Sequence, residues 1–155
     1  DAFTNLNIAV MECKGTVTAE FKRLIGYVTS FSSGCLYCQA HTILGAERFG
    51  STKERMEEVW NYSKSSVFSD AEKAALDFAF AAASVPNKVN TKEITELKKY
   101  WDDNDIVEIM GVIALFGFLN RWNDSMGSAL EDLPIEKGEK YLRGNTNWAP
   151  GKHRI

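Results

Sequence analysis

Cysteine is scarce in this sequence, and the three present are an odd number. That excludes a secreted domain stapled by disulfides, which pairs four or more. Long hydrophobic runs are missing too. The longest apolar stretch, Ile109 to Leu119, falls well short of the roughly 20 residues a spanning helix needs, so no membrane partner is expected. There is no basic excess: a net charge of −3 argues against a nucleic-acid partner, which would favour a basic stripe. No segment alternates apolar and polar residues between hairpin turns, so a sheet is not expected. Repeats, low-complexity tracts and linkers are absent as well. No basic-then-apolar leader follows Asp1, and two closely spaced thiols suit a reducing compartment; a cytoplasmic location is the expectation.

What is present is an ordinary globular balance, 45% apolar and 25% charged over 155 residues, enough for one domain over 1–155 with a single core. Helical signals dominate. Ala9 and Met11 lead into a first helix that includes Cys13. Thr18 caps a run through Phe21, Leu24, Ile25 and Val28, which fades at Ser32-Ser33-Gly34. A second run passes from the cysteine motif through Ile43, Leu44, Ala46 and Phe49 to Gly50, and Ser51 opens a charged helix with Met56, Val59 and Trp60 on one side. Ser69 with Glu72, and Asn90 with Glu93, spell capping boxes. The acidic residues Asp102, Asp103 and Asp105 suit the N-terminus of a helix from Ile106 to about Asp124, apolar nearly all round and therefore expected to be buried. Beyond Leu133 the chain reads as irregular apart from a short helix at Glu136–Leu142. The fold class is all-α, a compact bundle of about seven helices.

The segment that carries chemistry is Gly34-Cys35-Leu36-Tyr37-Cys38-Gln39-Ala40-His41-Thr42. Two cysteines two residues apart can close a disulfide when a turn brings them together. At a helix start the second thiol would face unpaired N–H groups and the positive end of the macrodipole, which favour thiolate. His41 lies one turn after Cys38, where an imidazole could take the thiol proton. Such a pair can reduce a peroxide, passing through a sulfenic acid that the second thiol condenses with. Other readings stay open. Cys35, Cys38 and His41 could hold zinc, with Cys13 or His153 as a distant fourth ligand. They could equally be inert core thiols, or a disulfide that governs assembly. A thioredoxin domain is disfavoured because its motif belongs beside a βαβ pattern.

These residues resemble the active-site motif of the alkylhydroperoxidase D and carboxymuconolactone decarboxylase superfamily, most of all its peroxidase-related branch. Phe68 to Leu76, Ile106 to Asp124, and Trp148 with Gly151-Lys152-His153 are similar to later segments of that branch. The resemblance implies an alkylhydroperoxidase D-like helical fold, assembly as trimers or hexamers, no cofactor and no metal, and a thiol-dependent peroxidase activity. It implies Cys38 as the nucleophile toward a hydroperoxide, Cys35 as the resolving thiol and His41 as the proton relay. The reductant would be a dithiol, a lipoyl or thioredoxin-like protein. Lactone decarboxylation fits less well, since decarboxylase members generally lack the cysteine pair. Two positions depart from the characterised peroxidases. Only Gln39 and Ala40 separate Cys38 from His41, where three residues are usual. Arg23 stands where a relay glutamate is usual, with Glu20 one turn earlier as a substitute.

Tyr37 reads as packing or pocket wall. The cluster Asn120 to Asp124 reads either as the C-terminal cap of its helix with Arg121 exposed, or as a place where Asn120 or Trp122 lines the thiol pocket, as the resemblance implies. Glu108 reads as a dipole partner, His153 as solvated or a subunit contact, and Cys13 as a core thiol. Gly111 and Gly117 suggest close helix–helix approach.

Overall fold

The computed structural model describes residues 1–154. Among them are nine α-helices and no strand: α1 (Ala2–Met11), α2 (Ala19–Ser33), α3 (Leu36–Arg48), α4 (Lys53–Glu58), α5 (Asp70–Ala83), α6 (Thr91–Lys98), α7 (Asp103–Met126), α8 (Asp132–Tyr141) and α9 (Arg143–Thr146). Single 3-10 turns cover Val59–Asn61 and Gly151–His153. The fold is all-α, as the periodicity implies. The helix count exceeds seven because the tail is more ordered than its composition suggests. Pro134 stands in the first turn of α8, where an amide donor would have no intrahelical partner, so the ring costs little there.

Local chemistry sets most helix starts. Thr18 accepts the N–H of Phe21, and Ser69 with Glu72 and Asn90 with Glu93 form capping boxes. Asp102 and Asp105 form a third, which starts α7 at Asp103 rather than Ile106. The first helix ends at Met11, and Cys13 lies beyond it, exposed; the expectation of a core thiol is corrected. Thr52, not Ser51, caps α4. Ser51 instead donates to Glu20, 2.7 Å away.

The core gathers around α2, which packs on α3, α5 and α7. Leu24, Ile25, Ile43, Leu76 and Ile109 are completely enclosed or nearly so, each such burial stabilising the fold by about 1.5–3 kcal/mol. Arg55 binds Glu20 through Nε (3.0 Å) and Nη2 (3.1 Å), and Glu72 through Nη2 (2.6 Å). This half-buried network ties α4 to α2 and α5 and engages both carboxylates.

Helix α7 is not buried all round. Ile109, Val112, Ile113 and Phe116 enter the core, while Val107 (71% exposed), Trp122 (58%) and Met126 (69%) face outward. An apolar sequence does not tell a buried helix from one that keeps an apolar outer face. No helix among the described residues is long and apolar enough to cross a membrane.

The crossing of α2 and α7 depends on Gly26, over which the Phe116 ring lies: a Cβ there would sit 2.6 Å from Phe116 Cε2. Gly111 meets only Val10 methyls at 3.7 Å or more, and Gly117 has nothing within 4 Å, so the close approach expected at these two occurs at Gly26 instead. Gly26→Ala is expected to destabilise by about 1–3 kcal/mol through overpacking. Gly117→Ala, in open space in mid-helix, should stabilise by roughly 0.5–1 kcal/mol. Urea unfolding of the two variants measures both. Equal effects would show that the α2–α7 contact does not limit what fits at position 26.

Candidate active site

The site begins where α2 ends. Gly34 adopts φ 77°, the left-handed conformation that costs a residue without Cβ nothing. The N–H of Cys35 then reaches back to the carbonyl of Ser30 (3.0 Å) and that of Gly34 to Phe31 (3.2 Å), closing the C-terminus of α2. The chain leaves this turn extended at Cys35, which is the N-cap of α3. A cysteine takes the place of the usual hydroxyl or carboxamide, and its Sγ accepts the N–H of Cys38 at 3.4 Å. Both thiols are free and buried.

This placement reverses one expectation. The helix-start amides were expected to act on the second thiol, but the capping side chain is that of Cys35, and Cys38 is already one turn inside α3. The Cys35 thiol is held below its ordinary value, first by the hydrogen bond from the Cys38 thiol and then by the N–H groups of Cys38 and Tyr37, against the opposing effect of burial. The Cys38 thiol is pushed upward by its partner Cys35 and by burial, with Asn123 opposing. Within the pair the thiolate form is thus favoured at Cys35 over Cys38.

Cys38, rather than Cys35, faces a cavity of about 620 Å³. Tyr37, His41, Phe116, Phe118, Trp122 and Asn123 line it together with Phe3, Met11 and Arg23, the Phe3 ring stacking on Phe118 at 6.1 Å. Asn123 Nδ2 lies 3.9 Å from Cys38 Sγ and donates to the Leu119 carbonyl at 3.0 Å. Trp122 thus lines the thiol pocket, whereas Asn120 does not. Its amide is buried without a partner, beside a separate cavity of about 530 Å³ with Ser32, Ser84 and Arg121. Glu20 is absent from the pocket wall and bound by Arg55. Arg23 is on the wall, but its Nη1 donates to the carbonyls of Met11 (3.3 Å) and Ala19 (3.4 Å) and its guanidinium lies 4.2 Å from the Phe49 ring centre. It contributes a cation and a helix clamp where a carboxylate relay is usual.

His41 contacts Tyr37 ring to ring at 4.5 Å, and its Nε2 is 3.0 Å from Glu131 Oε2. Burial lowers the imidazole pKa below 6.5, and the Glu131 carboxylate opposes this. The ring is therefore neutral at neutral pH. Nε2 carries the hydrogen given to Glu131, and the Nδ1 lone pair is left to accept a proton. Glu131 is 90 residues from His41 and precedes α8, so no local pattern could have paired them. Burial raises the Tyr37 phenol, with Glu131 and both cysteines adding to the effect; it stays protonated as a donor.

His153 is completely buried rather than solvated. Its Nδ1 donates to the Ser128 carbonyl (2.8 Å), its Nε2 lies 3.6 Å from Asp124, and its ring is 5.7 Å from that of Tyr37. Among the described residues no three His, Cys, Asp or Glu side chains converge as metal ligands. Cys13 and His153 are each occupied elsewhere.

The depressed His41 pKa has a definite sign in stability. Below about 6.5 the unfolded imidazole binds a proton that the folded one resists, so this group's contribution is lost as pH falls through that range. Glu131→Gln removes the opposing carboxylate and is expected to lower the His41 pKa further, read by NMR titration of the ring. An unchanged or higher value would show that the two side chains do not interact in solution.

Comparison with known proteins places this geometry. The carboxymuconolactone decarboxylase family model matches residues 1–81. The uncharacterized Escherichia coli protein YnjA is 32% identical over 103 residues, 66% of this chain and 53% of YnjA, so the chain spans about half the length of that relative. The debrominase Bmp8 superposes with a TM-score of 0.86 at 31% identity, over 90% of this chain and 75% of Bmp8. A cysteine-to-alanine variant of that enzyme has been solved with 2,3,4-tribromopyrrole. An uncharacterized peroxidase-related protein with an alkylhydroperoxidase core, from Ralstonia eutropha, gives 0.76 at 26% identity, over 91% and 72% of the two chains. With its matched N-terminal half and its all-helical frame, this chain belongs to the carboxymuconolactone decarboxylase family.

Proposed function

We propose that the protein is a dithiol oxidoreductase that reduces hydroperoxides in the pocket beside Cys38. The observation that carries the reading is the linked pair itself: two free thiols at one helix start, one capping the helix through its sulfur, the other open to a cavity. Cys38 passes its proton to Cys35 and attacks the distal peroxide oxygen. An S–O bond forms, the O–O bond breaks, and the alkoxide takes a proton that His41 picks up from solvent on Nδ1 and passes on. Cys35 then attacks the sulfenic sulfur, water leaves and the disulfide closes. A dithiol reductant of lipoyl or thioredoxin type restores the thiols. The exposed apolar residues of α7 support assembly as a homo-oligomer, a trimer or hexamer.

A second reading is favoured by the aromatic wall of Phe116, Phe118, Trp122 and Tyr37 and by the likeness to Bmp8. The same two electrons would replace bromine by hydrogen on a small aromatic ring, with bromide released and the disulfide formed.

Cys38→Ser is expected to reduce hydroperoxide consumption with dithiothreitol to the rate without enzyme. Cys35→Ser should stall as a Cys38 sulfenic acid, trapped by dimedone. His41→Gln should slow turnover roughly a hundredfold, the usual lower range for loss of an acid–base group. An unchanged rate in Cys38→Ser would overturn the assignment. Bromide release from 2,3,4-tribromopyrrole without peroxide consumption would establish the second reading in its place.

A further inference from the structure

The third cysteine stands in a cluster of its own, apart from the cysteine pair. Lys22, on α2, is 1% exposed, a rare state for an ammonium and one that requires full partnering. Its Nζ lies 2.8 Å from Cys13 Sγ, 3.1 Å from the Val10 carbonyl, 3.4 Å from the Cys13 carbonyl and 3.2 Å from Glu108 Oε2. The same Glu108 oxygen is 3.8 Å from Cys13 Sγ. Glu108 thus serves this cluster rather than the helix dipole. Gly15 makes room for it, since a Cβ at that position would collide with the Glu108 carboxylate.

Capping the end of α1 explains the two carbonyl contacts. It does not require a thiol against the amine, nor a carboxylate touching both. Cys13 is exposed, so a small oxidant can reach its sulfur, while the amine beside it is enclosed and held in place.

We propose that Cys13 and Lys22 are a modification site, at which a hydroperoxide drives formation of a covalent sulfenamide between them. In the first step the Cys13 sulfur attacks the distal peroxide oxygen. The S–O bond forms, the O–O bond breaks, and the thiol proton passes by way of Glu108 to the departing alkoxide, giving sulfenic acid and alcohol. In the second step no further oxidant is used. The Lys22 ammonium gives one proton to Glu108, its nitrogen attacks the sulfenic sulfur, and the hydroxyl leaves as water with a second proton from nitrogen. The product is Cys13–S–NH–Lys22 beside a neutral Glu108 carboxyl. Sulfenic acids condense reversibly with a backbone nitrogen to give sulfenamides, and the Lys22 amine offers a nitrogen nucleophile at 2.8 Å from the sulfur.

The link would fasten α1 to α2. Phe3, Asn7 and Met11 of α1 line the pocket that Cys38 faces, so the cross-link would fix one wall of that pocket under oxidant. The chemistry is independent of turnover at Cys35 and Cys38.

The test is peptide mapping by tandem mass spectrometry of the full chain, freed of reductant and treated with hydrogen peroxide. It is run on wild type, on Cys35→Ser/Cys38→Ser, and on Lys22→Arg. Expected is a species joining Cys13 to Lys22 and two hydrogens lighter than the reduced form, in both wild type and the double variant, lost again on adding dithiothreitol. In Lys22→Arg, Cys13 should instead advance to sulfinic acid. The wild-type map decides the matter even if Lys22→Arg does not fold. Cys13 found as sulfenic or sulfinic acid with Lys22 unmodified, or left as free thiol while Cys35 and Cys38 oxidise, would overturn the proposal.

Discussion

The left-handed turn at Gly34 is the constraint on which the site depends. Because α2 must stop there and α3 must start one residue later, Cys35 becomes a helix cap and Cys38 the residue one turn in. A cysteine in a capping position has its sulfur aimed at backbone N–H groups, so charge collects on it. The second thiol has its partner and Asn123 as hydrogen-bonding neighbours, in a buried position that favours the neutral form. One short piece of backbone geometry thus gives two identical side chains different settings, one capping a helix and the other facing the pocket.

Helix α2 carries this asymmetry into the rest of the molecule. Its C-terminal end builds the thiol turn, its middle accepts the Phe116 ring over Gly26, and its first turns present Lys22 and Arg23 to the end of α1. Two adjacent cations therefore hold the last carbonyls of one helix, and that helix supplies part of the pocket wall, with Phe3 stacked on Phe118. The pocket is consequently made of elements far apart in sequence, and its shape depends on how α1 is clamped. Phe3, Tyr37, Phe116, Phe118 and Trp122 give the cavity aromatic walls beside the thiol that opens into it. The same helical frame recurs in a debrominase and in a peroxidase-related protein, so the frame alone does not fix the chemistry.

What could be read directly from the chain were features whose cause lies within a few residues. The capping boxes at Ser69 and Asn90 depend on side chains reaching their own backbone neighbours, and both stand where the spacing placed them; the third, at Asp102, has the same local cause but reads in the sequence only as a charge cluster. Pro134 misled because a breaker in a helix interior is harmless in a first turn. The outer face of α7 misled because burial depends on what packs against a helix, which an apolar sequence leaves open.

The sequence by itself determined the all-α class, several of the helix starts and the pairing of two cysteines one helical turn apart, since periodicity and capping are local physics. Only the tertiary structure decided the rest. It showed Glu20 held by Arg55, Glu131 set against His41, His153 enclosed against Ser128, and Cys13 drawn to Lys22 and Glu108. Each of these turns on a partner distant in sequence, brought near by helices packing around α2. A side chain's charge, exposure and reactivity follow from that neighbour, and no local pattern can name it.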